Sequence, residues 1–203
     1  MNRLIIIGAS GHGRVVANVA RLCGYKDIIF LDDNNMISSC AGFPVVGRSD
    51  EAPSGAIIVA IGENETRKRL MDFYSEREQP VLIHPSAVIA EDVEIGKGSV
   101  IMAGAIINPG VKIGCGVIVN TSSSIDHDCI IGDYCHVSVG ARLCGTVVVG
   151  GKTMIGAGST IINNVLIHEG CKIGAGAVVT HDLLELGTYV GIPARILKQD
   201  SVQ

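Results

Sequence analysis

A six-residue repeat constrains the fold of this chain more than any other feature. From Ile83 to Val179, every sixth residue is Ile, Leu or Val, which gives seventeen consecutive aliphatic positions. An amphipathic helix would repeat about every 3.6 residues and an alternating strand about every two. A period of six instead fits a short strand and a corner, repeated many times. The sequence therefore predicts a solenoid of stacked coils.

The fifth place of each hexad is also restricted. It holds small or β-branched residues throughout, except for Leu183 at the end. One large and one small inward side chain per strand suit the narrow interior of a prism packed to native density. Cys129, Cys135 and Cys171 occupy this place, so we expect them to be small core residues and not ligands.

Glycines mark a longer period of eighteen residues. They form one series of four and one pair: Gly96, Gly114, Gly132 and Gly150, then Gly156 and Gly174. Three hexads per coil predict a triangular prism of nearly six coils between Ile83 and Leu184. We expect these glycines to make backbone turns that other residues adopt only at a cost.

The chain before the repeat has a different pattern, so we divide the protein into domains at 1–80 and 81–203. Its short apolar runs are predicted strands over 4–7, 28–31 and 57–61, and predicted helices cover 14–22 and 64–78. Strands alternating with helices predict a small parallel sheet. We expect Asn64 or Thr66 to cap the second helix.

A glycine-rich turn joins the first strand to the first helix. Unpaired N–H groups at a helix start favour phosphate, so the candidate substrate-binding residues here are Gly8, Ser10, Gly11, His12 and Gly13. Asp32, Asp33 and Gly62 follow the next strands, where an open α/β sheet has its binding crevice. The spacing is not the usual dinucleotide fingerprint. From these residues alone, an NAD site and a turn without ligand both stay open.

Composition bears mainly on partners and location. The net charge is −4, which gives no electrostatic reason to expect nucleic acid or an anionic membrane. No apolar run is long enough to cross a bilayer, and the run over 4–7 is too short for a signal peptide. We therefore expect a cytoplasmic protein whose seven cysteines are reduced.

Five motifs together resemble a known family. They are GASGHG at 8–13, FLDD at 30–33, AIGENETRK at 60–68, NTSSSIDHDCIIGDYCHVSVGA at 120–141 and GIPA at 191–194. They resemble the hexapeptide-repeat, sialic acid O-acetyltransferase-like family of bacterial nucleotide-sugar acetyltransferases. The resemblance implies a Rossmann-like domain that holds the nucleotide-sugar. It also implies a left-handed parallel β-helix that holds acetyl-CoA, a C-terminal cap, and a homotrimer with active sites between subunits.

Acetyl transfer from a thioester needs a general base and hydrogen-bond donors for the oxyanion. His127 lies between Asp126 and Asp128, and a carboxylate on the far ring nitrogen would fix the imidazole tautomer. The resemblance places the base at His127 and its partner at Asp128. Family members have Glu on both sides, so which of the two shorter acids reaches the ring stays open.

The coil period suggests a path for the coenzyme. Steps of eighteen from His127 reach Gly145, Asn163 and His181, and a pantetheine arm along the solenoid would pass these positions. Gly145 would let a backbone N–H approach the thioester oxygen. The resemblance suggests that His136 positions acetyl-CoA, with a structural hydrogen bond as the alternative. The candidate cations for the coenzyme phosphates are Arg142, Lys152, Lys172 and Arg195.

Several functions compete at this stage. The resemblance favours N-acetylation of a UDP-linked 4-amino-4,6-dideoxy sugar, as in the bacillosamine branch of the family, with no metal. The same base could serve a hydroxyl, so O-acetylation of a sialic acid or other sugar is a second candidate. A γ-type carbonic anhydrase shares the solenoid but needs three zinc-bound histidines. A non-catalytic nucleotide-sugar-binding module is the fourth.

Overall fold

A computed structural model describes residues 3–197. Its first part contains β1 (Leu4–Ile7), α1 (Gly11–Leu22), β2 (Ile28–Leu31), β3 (Ser39–Cys40), β4 (Phe43–Gly47), β5 (Ala56–Val59) and α2 (Asn64–Phe73). The five strands form one sheet in the order β3-β4-β2-β1-β5. Strands β1, β2 and β5 pair in parallel and are fully buried, as continuous apolar runs between two helices should be.

Three local expectations for this part were wrong. The first helix begins at Gly11, inside the glycine-rich turn, and not at Arg14. The second ends at Phe73, and its cap is Glu63, whose carboxylate accepts from the N–H groups of Glu65 and Thr66. Strands β3 and β4 were not predicted. They form an antiparallel hairpin at the sheet edge, in which Pro44 of β4 pairs with Ser39 of β3.

The rest of the described chain is the predicted parallel β-solenoid of hexapeptide repeats. Its first face comprises β7 (Val88–Ile89), β10 (Ile106–Ile107), β13 (Ser124–Ile125), β16 (Arg142–Leu143), β19 (Thr160–Ile161) and β22 (Val178–Val179). The second comprises β8 (Glu94–Ile95), β11 (Lys112–Ile113), β14 (Ile130–Ile131), β17 (Val148–Val149) and β20 (Leu166–Ile167). The third comprises β6 (Leu82–Ile83), β9 (Val100–Ile101), β12 (Ile118–Val119), β15 (His136–Val137), β18 (Met154–Ile155), β21 (Lys172–Ile173), β23 (Thr188–Val190) and β24 (Arg195–Ile196).

Successive coils are eighteen residues apart, as predicted. Ile107, for example, pairs with Ile125 in the next coil. The repeated aliphatic residues are buried from Ile101 onward, and the three cysteines assigned to the core are buried with them. The first repeat position differs: Ile83 is 38% exposed, because no coil precedes it.

The glycines of the eighteen-residue series have a different role from the predicted one. A Cβ on Gly96 would lie 2.5 Å from the backbone of Gly114, and one on Gly150 would lie 2.4 Å from Glu169 N. These glycines therefore allow one coil to approach the next closely. The left-handed corner conformation lies two residues later, and Tyr134 (φ 60°) and Lys152 (φ 58°) adopt it there.

Helix α2 packs the N-terminal part against the edge between the second and third faces. The side chain of Met71 packs against that edge, where a Cβ on Gly98 or Gly116 would lie 2.3 Å or 2.6 Å from it. On the adjoining third face, Leu82, Val100 and Met102 belong to the hydrophobic cluster of the N-terminal sheet. The two parts of the chain therefore share a core.

The far end of the solenoid is closed by a short C-terminal segment. Strand β23 continues the third face in parallel, and β24 turns back against it, with Ala194 fully buried. Across residues 3–197, neither helix has the length and apolar character needed to span a membrane.

Candidate active site

The turn between β13 and β14 carries the predicted base. His127 Nδ1 lies 2.9 Å from Asp128 Oδ2. Asp128 adopts the left-handed conformation (φ 58°), and this conformation places its carboxylate beside the preceding imidazole. Because a carboxylate only accepts, Nδ1 carries the proton and Nε2 keeps its lone pair in the neutral ring. The hydrogen bond to Asp128 is the main cause that raises the pKa of His127 above its usual value.

Asp126 has a different task from Asp128. Its Oδ1 accepts from the backbone N–H of His127 at 2.9 Å and from Asn108 Nδ2 at 2.7 Å. The hydrogen bond from Asn108 is the main cause that lowers the Asp126 pKa. Asp126 therefore holds the backbone of the turn, and Asp128 is the acid that reaches the ring.

Gly145 lies directly beneath the imidazole of His127. A Cβ at position 145 would be 2.5 Å from both Cε1 and Nε2 of that ring, so only glycine leaves the ring where it is. The backbone N–H of Gly145 also has no acceptor among residues 3–197. A backbone N–H without an acceptor and a basic ring nitrogen therefore belong to two residues packed against each other on the prism edge.

The proposed coenzyme path continues along this edge. Asn163 and His181 occupy the next two coils of the same column and are exposed. At the end of this column, a pocket of about 320 Å³ is lined by His181 and Arg195 together with Asp182, Glu185 and Tyr189. Of the other proposed cations, Lys152 forms ion pairs with Glu65 and Glu169 at 3.1 Å and 2.8 Å, so it is a poor phosphate ligand.

The glycine-rich turn has the conformation that its sequence requires. Gly8 has φ +108°, and a Cβ on Gly13 would lie 2.0 Å from Gly8 O, so both glycines are needed for the turn itself. Gly11 begins α1, and a Cβ there would meet only the Arg14 side chain at 3.9 Å. Ser10 is the N-cap residue, yet its side chain makes no capping hydrogen bond. The helix start is therefore open in front of Gly11.

Asp32 and Asp33 line a pocket next to the glycine-rich turn, and their carboxylates bond to the surrounding backbone. Asp32 accepts from the backbone N–H of Ala9 at 2.7 Å, and Asp33 accepts from the Ser49 N–H and hydroxyl at 3.1 Å and 2.9 Å. Both carboxylates line a pocket of about 390 Å³ with Arg48. Each acid thus has a structural role in addition to the predicted contact with substrate.

Two histidines meet where the N-terminal part faces the third face. The ring centroids of His12 and His136 are 6.3 Å apart, and the His136 ring lies 3.9 Å from the position of a Cβ on Gly62. Burial is the main cause that lowers the pKa of each imidazole to about 4. His12 Nε2 and His136 Nδ1 have no hydrogen-bond partner among residues 3–197. Two neutral rings therefore face one another with unused nitrogens.

Asn120 fixes the tautomer of His136. Its Oδ1 accepts from the Thr121 N–H at 2.8 Å, and its Nδ2 lies 3.1 Å from His136 Nε2. Nε2 therefore accepts, and the neutral ring carries its proton on Nδ1. Sequence reasoning missed Asn120, which lies sixteen residues before His136 and has no period or flanking charge to mark it.

The structure places the predicted site residues in two separate groups. His127, Gly145 and the rest of their column occupy the edge between the first and second faces. His136 lies on the third face, which is opposite that edge in a triangular prism, and His12 and Gly62 of the N-terminal part lie next to it. Within one chain, the predicted base therefore faces away from the predicted substrate domain.

A metal site is not evident in the described part of the chain. Among residues 3–197, no group of three or more His, Cys, Asp or Glu side chains is arranged to hold a metal ion.

Comparison with protein families matches both parts of the chain. The family described as PglD N-terminal domain matches residues 3–73. The family described as bacterial transferase hexapeptide (six repeats) matches residues 146–181.

Solved structures match over nearly the whole chain. The acetyltransferase domain of PglB from Neisseria gonorrhoeae FA1090, in complex with acetyl coenzyme A, is 39% identical with a TM-score of 0.91, covering 96% of this chain and 98% of that one. PerB from Caulobacter crescentus, in complex with CoA and GDP-perosamine, is 35% identical with a TM-score of 0.91, covering 97% of each chain.

A curated relative matches over a shorter region. The UDP-N-acetylbacillosamine N-acetyltransferase of Bacillus subtilis (strain 168) is 33% identical over 113 residues, which is 51% of this chain and 52% of that enzyme. The alignment thus spans about half the length of that relative.

Proposed function

Because the chain belongs to the hexapeptide-repeat family of nucleotide-sugar N-acetyltransferases, we propose that it acetylates the C4 amine of a UDP-linked 4-amino-dideoxy sugar. The acetyl donor is acetyl-CoA, and the base is His127. The observation that carries the proposal is the His127–Asp128 pair, which leaves Nε2 of the imidazole as the basic nitrogen and packs the ring on Gly145. The curated relative acts on a UDP-linked sugar by its name, which favours UDP over the GDP of the PerB complex.

The geometry supports a one-base mechanism. The neutral amine attacks the thioester carbonyl, a C–N bond forms, and His127 Nε2 takes the proton that the nitrogen loses. Asp128 stabilises the resulting imidazolium, while the Gly145 N–H donates to the oxyanion. The C–S bond then breaks, and the imidazolium returns its proton to the departing thiolate of coenzyme A.

We propose that the N-terminal part binds the nucleotide. We infer that the open start of α1 at Gly11 receives the diphosphate, because its N–H groups and helix dipole favour an anion. His12 and His136 lie on this side as partly exposed residues, so we propose that they contact the sugar or the acetyl group.

A valine at Gly11 tests this assignment. Gly11→Val should leave the fold intact, because the Cβ would meet only the Arg14 side chain, at 3.9 Å, but the valine would obstruct the diphosphate. We expect the KM for the nucleotide-sugar to rise about tenfold or more, as for the loss of one charge-assisted hydrogen bond. The Kd for acetyl-CoA, measured by calorimetry, should not change. Normal binding of the nucleotide-sugar by this variant would overturn the role given to residues 1–80.

The separation of the two groups supports a site shared between subunits. We propose a cyclic homotrimer in which the His127 edge of one copy faces the His12 and His136 side of the next. Apolar side chains of moderate to high exposure lie on the first and second faces, among them Val88, Ile106, Ile130 and Leu166. Packing these faces between copies would remove the apolar surface from water.

Mixing two defective variants tests the shared site. The His127→Ala variant lacks the base, and the Gly11→Val variant binds the nucleotide poorly. Each homotrimer should therefore have low activity at low nucleotide-sugar concentration. In trimers coexpressed in equal amounts, about a quarter of the sites regain both halves if each site is drawn from two subunits. Activity of the mixture no higher than the average of the two variants would contradict the proposal, as would a stable monomer in sedimentation at micromolar concentration.

The two alternative enzymatic activities, carbonic anhydrase and sugar O-acetylation, are not equally supported. Family membership sets aside the carbonic anhydrase. O-acetylation differs only in the attacking atom, and alkaline treatment of the product distinguishes an ester from an amide. The cytoplasmic location also remains our inference from the sequence.

A further inference from the structure

A buried arginine joins the two parts of the chain. Arg67 lies on α2 and is 1% exposed. No carboxylate within residues 3–197 lies within 4.0 Å of its guanidinium. A buried charge without an ionic partner is costly unless its hydrogen bonds are satisfied. Such a residue is kept for what its hydrogen bonds hold together.

All of its hydrogen-bond acceptors are carbonyl oxygens, and they come from both sides of the junction. On the N-terminal side, Nη1 donates to Ile61 O and Gly62 O at 2.9 Å and 3.2 Å, and Nη2 donates to Asn64 Oδ1 at 2.7 Å. On the solenoid side, the acceptors are Gly116 O at 2.7 Å, Tyr134 O and Cys135 O. One planar group thus fixes two backbones against each other.

The two backbones are those that carry the candidate substrate contacts. Gly62 follows β5 at the nucleotide crevice, while Tyr134 and Cys135 directly precede His136. Asn64 strengthens the same junction, because its Nδ2 donates to Lys152 O at 2.8 Å. Displacing the guanidinium would release Gly62 and His136 from each other.

We propose that Arg67 is a positioning residue that sets the distance between the nucleotide-sugar-binding domain and the strand carrying His136. The role deepens the proposed function and rests on it where substrate affinity is concerned. Lysine cannot replace arginine here, because a single ammonium cannot reach the carbonyls on both sides of the junction at once.

The same charge also acts on the two histidines. Burial lowers the pKa of His136 to about 4, with Arg67 as the second cause. For His12, the causes after burial are His136 and then Arg67. Each imidazole therefore faces the other, and the Arg67 guanidinium and the Gly62 carbonyl also lie near the rings. Arg67 adds to burial in lowering the pKa of both rings, and this effect can be measured separately from its geometry.

Two substitutions separate the geometric role from the charge. Arg67→Lys keeps the charge but loses the bridging bonds. We expect the KM for the nucleotide-sugar to rise about tenfold or more and its kcat/KM to fall by up to about 10²-fold. The KM for acetyl-CoA should change less than about twofold, because Arg67 bonds to no residue of the proposed coenzyme column of His127, Gly145, Asn163 and His181. Arg67→Met also loses the charge, so NMR titration should show the pKa values of His12 and His136 raised in this variant only.

Arg69 provides the matched control. It lies on the same helix, two residues further on, and is exposed, so Arg69→Lys and Arg69→Met should behave like the wild type. Unchanged nucleotide-sugar kinetics in a folded Arg67→Lys enzyme would overturn the proposal. A loss of thermal stability alone, with normal KM and normal histidine titrations, would also overturn it, because it would reduce Arg67 to a stabilising residue.

A measurement on the wild type covers the case in which the variants do not fold. The Arg67 Nε–H, which donates to Gly116 O, should exchange with solvent far more slowly than the Arg69 Nε–H, by about 10²-fold or more for a group that opens only with local unfolding. Equal exchange rates would overturn the proposal. If the wild type acetylates no nucleotide-sugar, the proposed function fails, while the exchange and titration data still decide whether Arg67 joins the two domains.

Discussion

Replacing His127 with alanine is expected to lower kcat by about 10² or more, the usual scale for loss of a general base. The Kd for acetyl-CoA should change little, because the truncation removes a group that acts on the amine proton. Stopped-flow or steady-state release of coenzyme A, together with calorimetric binding, measures both quantities. Turnover near that of the wild type would remove His127 from the mechanism.

The flanking acids provide the control for this prediction. The Asp128 hydrogen bond is the main cause that raises the His127 pKa, and the base acts in its neutral form. The value of kcat/KM should therefore fall as the pH drops through this raised pKa. Asp128→Asn should shift that acidic limb to lower pH and lower kcat. Asp126→Asn should have smaller effects on both, because its carboxylate bonds to the backbone and to Asn108. Equal effects of the two substitutions would contradict the assignment of Asp128.

Adding one methyl group at Gly145 is expected to have the second-largest effect. Gly145→Ala puts a Cβ 2.5 Å from the His127 ring, so the imidazole must move away. A displacement of about 1 Å at a reacting group costs up to about 10²-fold in rate. We expect kcat to fall by at least about tenfold, at nearly unchanged thermal stability, because the ring is half exposed and can rotate outward.

A double-mutant cycle identifies the cause of that loss. In the His127→Ala background the ring is gone, so Gly145→Ala should cost little more. If the two losses instead multiply, Gly145 acts independently of the imidazole, for example by admitting the coenzyme.

Periodicity predicted the solenoid because each coil packs on its neighbours and so repeats their pattern of buried residues. Pairings such as Ile113 with Ile131 follow directly from a period of eighteen. The same reasoning misread Gly96 and Gly150, since a glycine needed for close approach and one needed for positive φ look alike in a sequence. Unusual residues at the true corners, such as Tyr134 and Lys152, gave no signal because tertiary packing imposes their conformation.

The candidate site was only partly predictable. The Asp-His-Asp sequence indicated His127 as the candidate base, and only the structure showed that Asp128, not Asp126, reaches its ring. The glycine-rich turn indicated Gly11, whereas Asp32 and Asp33 proved to hold structural hydrogen bonds as well. Arg67 resembles a solvated helix residue in the sequence, and only the docking of α2 on the solenoid shows it to be buried. His127 and His136 are nine residues apart, which is half of one eighteen-residue coil, so the period itself puts them on opposite sides of the prism.

One assay tests the central claim most directly. The wild-type enzyme is incubated with acetyl-CoA and a panel of UDP-, dTDP-, GDP- and CMP-linked sugars, with the free amino sugar as control, and coenzyme A release is followed. The account predicts rapid release with a UDP-linked 4-amino-4,6-dideoxy sugar, a product whose new acetyl group resists mild alkali as an amide does, and little release with the free sugar. Equal acetylation of the free sugar, or an alkali-labile ester as the product, would contradict it.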